Sequence, residues 1–520
     1  MSFRSPHSDI EIQDAPLHRA VLGAAASRGD HPALVDGMTG RTISYAQLDD
    51  MVRRLAAGLA ATGLRQGDVL GLFSPNIVLY PVVFHAAVSA GATVTTINAL
   101  ATTKDVANQL GDCRARYLVT IAAFLDRTTE AAAVEEVFVC DTAEGFRSIQ
   151  DLMSFGTVAP QIDIDPAEQL AALPYSSGTT GTAKGVMLTH RNLVANVAQA
   201  SNSLQLRPTD RVIAVLPFFH IYGLTVLMNI ALASGATLVT LPRFDLADFL
   251  RTLQNQKITV AFVAPPIVVA LAKHPMVDEY DLSSLRFMLS GAAPLDADLA
   301  TACAQRLGCA VVQGYGMTEL SPVSHVASPD DASAPPGSVG KTIANTECRV
   351  IDVATGRDLG TGETGELLVR GPQVMKGYLG HPEATDATVD ANGWLHTGDL
   401  AKVDEGGNWY IVDRVKELIK YKGYQVPPAE LEAVLLTHPA IADAAVIGAY
   451  QPDGAEYPHA FIVTTPGANV TGAEIRDYVA DRVAPYKKIR LVQFIDAIPK
   501  SASGKILRRD LRARVMTAPQ

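Results

Sequence analysis

Short apolar runs rich in β-branched residues alternate with amphipathic helical patterns through the first three hundred residues, and this alternation narrows the possible folds most. Residues 69–72, 93–96, 212–216, 237–241 and 259–263 read as strands, with 45–62 and 248–256 as helices between them. A helix between consecutive strands is a crossover, so the strands are expected to lie parallel in helix-covered sheets: an α/β fold. At 520 residues the chain exceeds the roughly 250–300 at which one hydrophobic core stops growing, so more than one packed unit is expected.

The texture changes after about residue 335. Segments 348–353 and 365–369 are short strands separated by turn residues without helices, which predicts an antiparallel or β-barrel-like subregion over about 335–414. The last hundred residues alternate again, with patterns at 429–436, 444–447, 460–463, 473–482 and 491–494, and read as a smaller α+β domain. Glu405, Gly406, Gly407 and Asn408 form a turn signal, followed by a charge run from Asp413 to Lys416. The boundary is placed there, giving domains 1–414 and 415–520.

The net charge of −11 excludes a non-specific nucleic-acid binder, because no bulk positive field exists to gather phosphates. Cys113, Cys140, Cys303, Cys309 and Cys348 are odd in number and form no CxxC pair, which argues against a disulfide framework or zinc ribbon. The first residues carry acids and a proline instead of a signal-peptide core. The apolar run 258–272 is broken by Pro265 and Pro266, falls short of the ~18–20 residues that span a bilayer, and is expected to be buried core. TAPQ at the end is no peroxisomal signal, so a cytoplasmic location and no membrane span are expected.

One loop carries chemistry. Leu173, Pro174 and Tyr175 read as a strand end running into SSGTTGTAKG, Ser176 to Gly185, ahead of a helical pattern near Arg191. Glycines let backbone N–H groups converge on anionic oxygens, while Ser176, Ser177, Thr179, Thr180 and Thr182 add hydroxyls and Lys184 adds charge. A flexible polar surface loop would share the composition; the Lys-Gly ending after a strand favours a phosphate cradle. Gly185 follows the lysine, so this is not a Walker loop. GTGETG at 360–365 matches GxGxxG, but it precedes a strand pattern and reads as a hairpin turn.

With SSGTTGTAKG, four further motifs stand in order: QGYGMTE at 313–319, GWLHTGD at 393–399, DRVKELIKYKGYQVPPAELE at 413–432 and PKSASGKILRR at 499–509. Together they resemble the adenylate-forming superfamily of acyl-CoA synthetases, luciferases and peptide-synthetase adenylation domains, over nearly the whole chain. LPFFHIYGL at 216–224, SGAAPL at 290–295 and IKYKGYQV are most similar to 4-coumarate:CoA ligases, particularly bacterial ones. Ala183, Arg243 and Pro427 depart from the family's usual residues.

The resemblance implies ATP-dependent activation of a carboxylic acid, 4-coumarate or a related hydroxycinnamate, through an acyl-adenylate to a coenzyme A thioester. A medium- or long-chain fatty acid, or another aryl acid, is the alternative substrate. It implies that Ser176, Ser177, Gly178, Thr179, Thr180 and Lys184 hold ATP phosphates, and that Glu319 and Thr180 serve Mg2+. Thr318 and Lys505 would act at the adenylate phosphate, Asp399 and Arg414 at the ribose, and Lys420 and Gln425 at the adenylate. His220, Tyr222, Gly291, Ala292, Gln313, Gly314 and Tyr315 would wall the acyl and adenine pocket, joined on the acyl side by Lys416 and Lys420. Arg243, Lys422 and Gly423 would meet coenzyme A, and a mobile C-terminal domain would turn about a hinge near Lys416. Read alone, Asp399 would be a turn aspartate, Lys505 a solvated lysine and His220 a structural histidine.

A non-catalytic nucleotide sensor is disfavoured because a binder does not need a lysine at the α-phosphate. A stand-alone adenylation domain is disfavoured because no carrier-protein domain follows. No GxSxG elbow suggests a hydrolase. Small-molecule acid, ATP and coenzyme A are thus the expected partners.

Overall fold

The computed structural model describes residues 2–129, 134–155, 158–159, 161–176, 183–331, 334–421, 424–450, 456–501 and 504–517. Two large sheets form its body. In the nine-stranded sheet, Ala310–Gly316, Phe287–Ser290, Val260–Val263, Arg211–Ala214, Thr237–Thr240 and Pro32–Asp36 run parallel in that spatial order. The eight-stranded sheet has a parallel core of Leu170–Ala172, Thr93–Thr96, Val69–Leu72, Tyr117–Thr120 and Glu136–Val139. Strands such as Val260–Val263 and Phe287–Ser290 are buried throughout, because helices cover both faces.

The expectations at the level of elements are met closely. The helix read over 45–62 is Tyr45–Ala61, started by a capping box in which the Ser44 hydroxyl accepts from Gln47 N–H and Gln47 reaches back. The apolar run at 258–272 becomes strand Val260–Val263 and helix Pro265–Lys273, with Ile258, Phe262 and Val268 fully buried.

The subregion expected after residue 335 is a five-stranded antiparallel sheet whose first strand, Phe3–Arg4, comes from the chain's beginning and pairs with Glu347–Ile351. A two-residue strand leaves no readable period. The sheet curls until its edges meet, with the Phe3 ring edge-on to Trp409 at 5.6 Å between centroids. GTGETG is the turn region leading into strand Gly365–Arg370, with Gly362 at φ +81.

Two departures concern motifs. Lys184 and Gly185 do not close a strand–loop–helix unit; they open strand Lys184–Thr189, which pairs antiparallel with Tyr175–Ser176, and the helix starts at His190. HTGD is no turn, because Asp399 lies inside the nine-residue strand Leu395–Val403. Gly398, at φ +69, bulges that strand and shifts its register against Gly365–Arg370, which re-aims Asp399.

Toward the C-terminus, Ile441–Tyr450, Glu456–Thr464 and Leu491–Phe494 form a three-stranded sheet, and Ile419–Tyr421 pairs with Tyr424–Val426 in a separate hairpin. Their apolar cluster, including Leu431, Val446, Ile462 and Val479, is distinct from the main core.

Candidate active site

Two adjacent parallel strands of the nine-stranded sheet, Phe287–Ser290 and Ala310–Gly316, point their carboxyl ends at one cavity, the place where α/β sheets bind ligands. Gly291 and Ala292 follow strand Phe287–Ser290, and Gly314, Tyr315 and Gly316 end strand Ala310–Gly316; all five line it. His220 and Tyr222 enter from the start of a buried helix, Thr318 from a short turn of helix, and Lys505 from the C-terminal unit. Eight positions singled out from sequence thus meet in one wall.

Close approach fixes several residue types there. A Cβ on Gly316 would sit 2.1 Å from the Pro322 carbonyl oxygen, and one on Gly291 would press on the Tyr222 ring at 3.1 Å. Ala292 adopts φ +70, a left-handed backbone that costs an L-residue about 1–2 kcal/mol. Gln313, almost wholly buried, donates to the Leu295 carbonyl at 3.2 Å.

His220 is neutral. Burial, then the nearby Lys505 charge, pushes its pKa down to about 3. The Tyr222 backbone N–H donates to its Nδ1 at 3.3 Å, so the ring proton resides on Nε2 as a donor. Tyr222 donates its own hydroxyl to the Leu289 carbonyl at 3.2 Å, and burial raises its pKa.

Beside the cavity, Glu319 is 3 % exposed. One of its carboxylate oxygens accepts from Ser176 Oγ at 2.8 Å and from Tyr378 Oη at 2.9 Å. Lys184 is buried with its ammonium 5.5 Å from the Tyr378 ring centre. Sequence reasoning missed Tyr378, which is 59 positions from Glu319 and marked by no motif. Among the described residues no three His, Cys, Asp or Glu side chains form a metal-holding group. Magnesium needs no such cage, since one carboxylate with substrate phosphates suffices, and Glu319 fits that demand.

The re-aimed Asp399 accepts from Tyr315 Oη at 2.6 Å and pairs with Arg414 Nε at 3.3 Å. Burial, then this carboxylate, drives the Tyr315 phenol well above its usual pKa. Lys505 sits at the tip of a tight loop where Gly504 takes φ +84 and lies over Ala264 and Pro266 of the main body. Burial and Arg414 lower the Lys505 pKa, while Asp399 and Glu319 oppose the shift.

Other expected positions stand elsewhere. Arg243, Lys416, Lys420 and Gln425 are exposed and outside this cavity; Lys420 faces Gln425 across the small hairpin. Ser177, Gly178, Thr179, Thr180, Lys422 and Gly423 lie outside the described residues.

A helix-covered parallel sheet, the Ser176 hydroxyl on the buried Glu319 carboxylate, and a lysine carried in from a small C-terminal unit are features of a nucleotide-dependent enzyme class. The chain belongs to the AMP-binding enzyme family: that description matches residues 22–379, and the AMP-binding enzyme C-terminal domain matches 430–505. Among curated proteins it is 44% identical over 523 residues to 4-coumarate–CoA ligase 5 of Oryza sativa subsp. japonica, covering 99% of this chain and 97% of the relative. An anthranilate CoA ligase solved with anthranoyl-AMP superposes with a TM-score of 0.90 at 28% identity, over 97% of this chain and 98% of that one. ATP-bound MatB from Rhodopseudomonas palustris superposes with a TM-score of 0.87 at 31% identity, over 96% and 99%.

Proposed function

We propose that this protein is an AMP-forming acid–CoA ligase that activates 4-coumarate or a related hydroxycinnamate with ATP and transfers the acyl group to coenzyme A. The observation that carries this reading is the delivery of Lys505 into the cavity lined by His220, Thr318, Gly291 and Gly314. An acid-activating enzyme brings two anions together and must stabilise charge growing on the α-phosphate.

In this reading the acid's carboxylate accepts from Nε2–H of neutral His220, which orients it without trapping it as a tight ion pair. Its oxygen attacks the α-phosphorus, pyrophosphate leaves, and Lys505 and Thr318 hold the phosphoryl oxygens. Asp399 accepts the ribose hydroxyls and Arg414 steadies it. Glu319, kept in place by Ser176 and Tyr378, would hold magnesium, whose chemistry is to neutralise phosphate oxygens. Thr180 and the rest of its loop would cradle the phosphates.

Thioester formation then needs the cavity side of Lys505 cleared. We assign residues 1–414 and 415–520 as domains that turn about Lys416, carrying Lys420, Gln425, Lys422 and Gly423 inward and Lys505 out. The exposure of Lys420 and Gln425 while Lys505 fills the cavity supports this alternation. Arg243 would meet the coenzyme's phosphates. Cys113, Cys140, Cys303 and Cys348 are buried free thiols, which supports a cytoplasmic site of action; among the described residues no helix is long and apolar enough to cross a membrane.

The test is acid-dependent AMP release with coenzyme A, compared across 4-coumarate, benzoate and palmitate. Comparable kcat/KM on palmitate would overturn the aromatic substrate, and no release with any acid would overturn the ligase.

A further inference from the structure

Helix Pro428–Leu436 is started by a residue outside its own unit. Its N-cap, Pro427, has no side-chain oxygen, and Pro428 has no N–H, so Ala429 carries the first orphan donor of the opening turn. The acceptor comes from the other side of Lys416. Asp413 Oδ2 takes the Ala429 N–H at 2.9 Å, while its Oδ1 takes the Arg414 N–H at 2.7 Å. Asp413 belongs to the main body, where strand Trp409–Arg414 pairs it with Leu400, and it is 6 % exposed. Burial raises its pKa, and the two N–H groups and the charge of Arg508 oppose the rise.

The far end of the same helix is held too. Lys273, the last residue of helix Pro265–Lys273 in the main body, donates from Nζ to the Leu436 carbonyl at 3.0 Å. An anion thus meets the positive end of the helix dipole and a cation the negative end, both supplied by the body that does not contain the helix. Within the C-terminal unit this helix is tied to Lys505. Glu432, buried at the helix's middle, accepts two hydrogen bonds from Arg508 at 2.7 and 2.8 Å, and Arg508 follows Lys505 by three residues.

We propose that Asp413 and Lys273 are positioning residues: docked on the two ends of helix Pro428–Leu436, they hold the C-terminal unit in the pose that puts Lys505 in the cavity, and they release it for thioester formation. The inference rests on the ligase reading and its two poses. Asp413 and Ala429 lie on opposite sides of Lys416, so a turn there parts them, and their contact belongs to the adenylate-forming pose. A contact made in one pose alone sets the ratio of the two populations, and its removal shifts that ratio by the whole factor it contributed. A hydrogen bond to a buried carboxylate contributes roughly ten- to a hundredfold, and an exposed cation at a helix end about two- to fivefold.

The experiment measures two half-reactions in the full-length enzyme: acid-dependent ATP–pyrophosphate exchange, and thioester formation from supplied 4-coumaroyl-adenylate. Wild type is compared with Asp413→Ala and with Lys273→Met, an exposed change that keeps the length of the side chain and removes its donor. The expected thioester-to-exchange rate ratio rises about tenfold or more in Asp413→Ala and about two- to threefold in Lys273→Met. A ratio unmoved in both variants, or half-reactions that fall together, overturns the assignment while leaving the ligase intact. Should Asp413→Ala not fold, an unmoved ratio in Lys273→Met alone overturns it. Absence of AMP release from the wild type with 4-coumarate, benzoate and palmitate refutes the ligase reading, and the assignment falls with it.

Discussion

Replacing Glu319 separates its charge from its structural duty. Its carboxylate oxygen holds two hydroxyl donors, Ser176 Oγ at 2.8 Å and Tyr378 Oη at 2.9 Å. Glu319→Gln retains an acceptor oxygen of the same reach, so both contacts persist and stability should change by less than about 1 kcal/mol. Glu319→Ala removes the acceptor. Ser176, half-buried, can turn to water, but Tyr378 is 7 % exposed and its stranded hydroxyl should cost about 1–3 kcal/mol. Activity should divide differently, because both variants lose the anionic oxygen proposed for magnesium. A lost electrostatic stabiliser in a water-poor site costs about 10²–10³ in rate, or ~2.7–4 kcal/mol of barrier. Acid-dependent ATP–pyrophosphate exchange across a magnesium series measures the first effect, and urea denaturation the second. The expected pattern is two equally inactive variants of which only Glu319→Ala is less stable. Wild-type exchange by Glu319→Gln at limiting magnesium would refute the role, and equal destabilisation of both variants would refute the hydrogen-bond account.

Lys505→Ala should abolish adenylate formation, by about 10² or more, while sparing thioester formation from supplied acyl-adenylate; equal losses in both half-reactions would show that Lys505 acts through stability. Gly316→Ala should impair folding or cavity shape by about 1–3 kcal/mol, since its Cβ would lie 2.1 Å from the Pro322 carbonyl oxygen and backbone cannot easily yield; a wild-type melting temperature and KM would contradict the packing. Burial pushes His85, His190 and His325 down to about 3 and His18 to about 4. Their folded pKa lies below the unfolded 6.5, so unfolding takes up protons as pH falls: stability is full above about 6.5 and drops by ~1.4 kcal/mol per pH unit for each group below it. His85→Phe should flatten the urea-measured slope between pH 6 and 4.5 by about one such increment, and an unchanged slope would contradict the burial of a neutral ring.

Element types were legible in the sequence because period and length are local properties. Residues 69–72, 93–96 and 491–494 are strands with the bounds their β-branched runs suggest. The pairing of Phe3–Arg4 with Glu347–Ile351 was not legible, since contact across more than three hundred residues leaves no trace in either two- or five-residue segment. Asp399 shows the same division within the site. Its motif marked it as functional, but only the bulge at Gly398 and the reach of Tyr315 and Arg414 decide where its carboxylate is held.

The sequence by itself determined the family, the order of the phosphate loop, TE, TGD and Lys505 motifs, and the small residues Gly291, Gly314 and Gly316, because chemistry and close approach restrict residue identity position by position. Tertiary structure decided what those motifs meet: Tyr378 under Glu319, a His220 proton placed on Nε2 by the Tyr222 backbone, Lys505 inside the cavity with Lys420 left outside, and an apolar lining that includes Leu204, Val226 and Leu289. Such meetings are set by the packing of whole sheets and helices, and no local pattern encodes them.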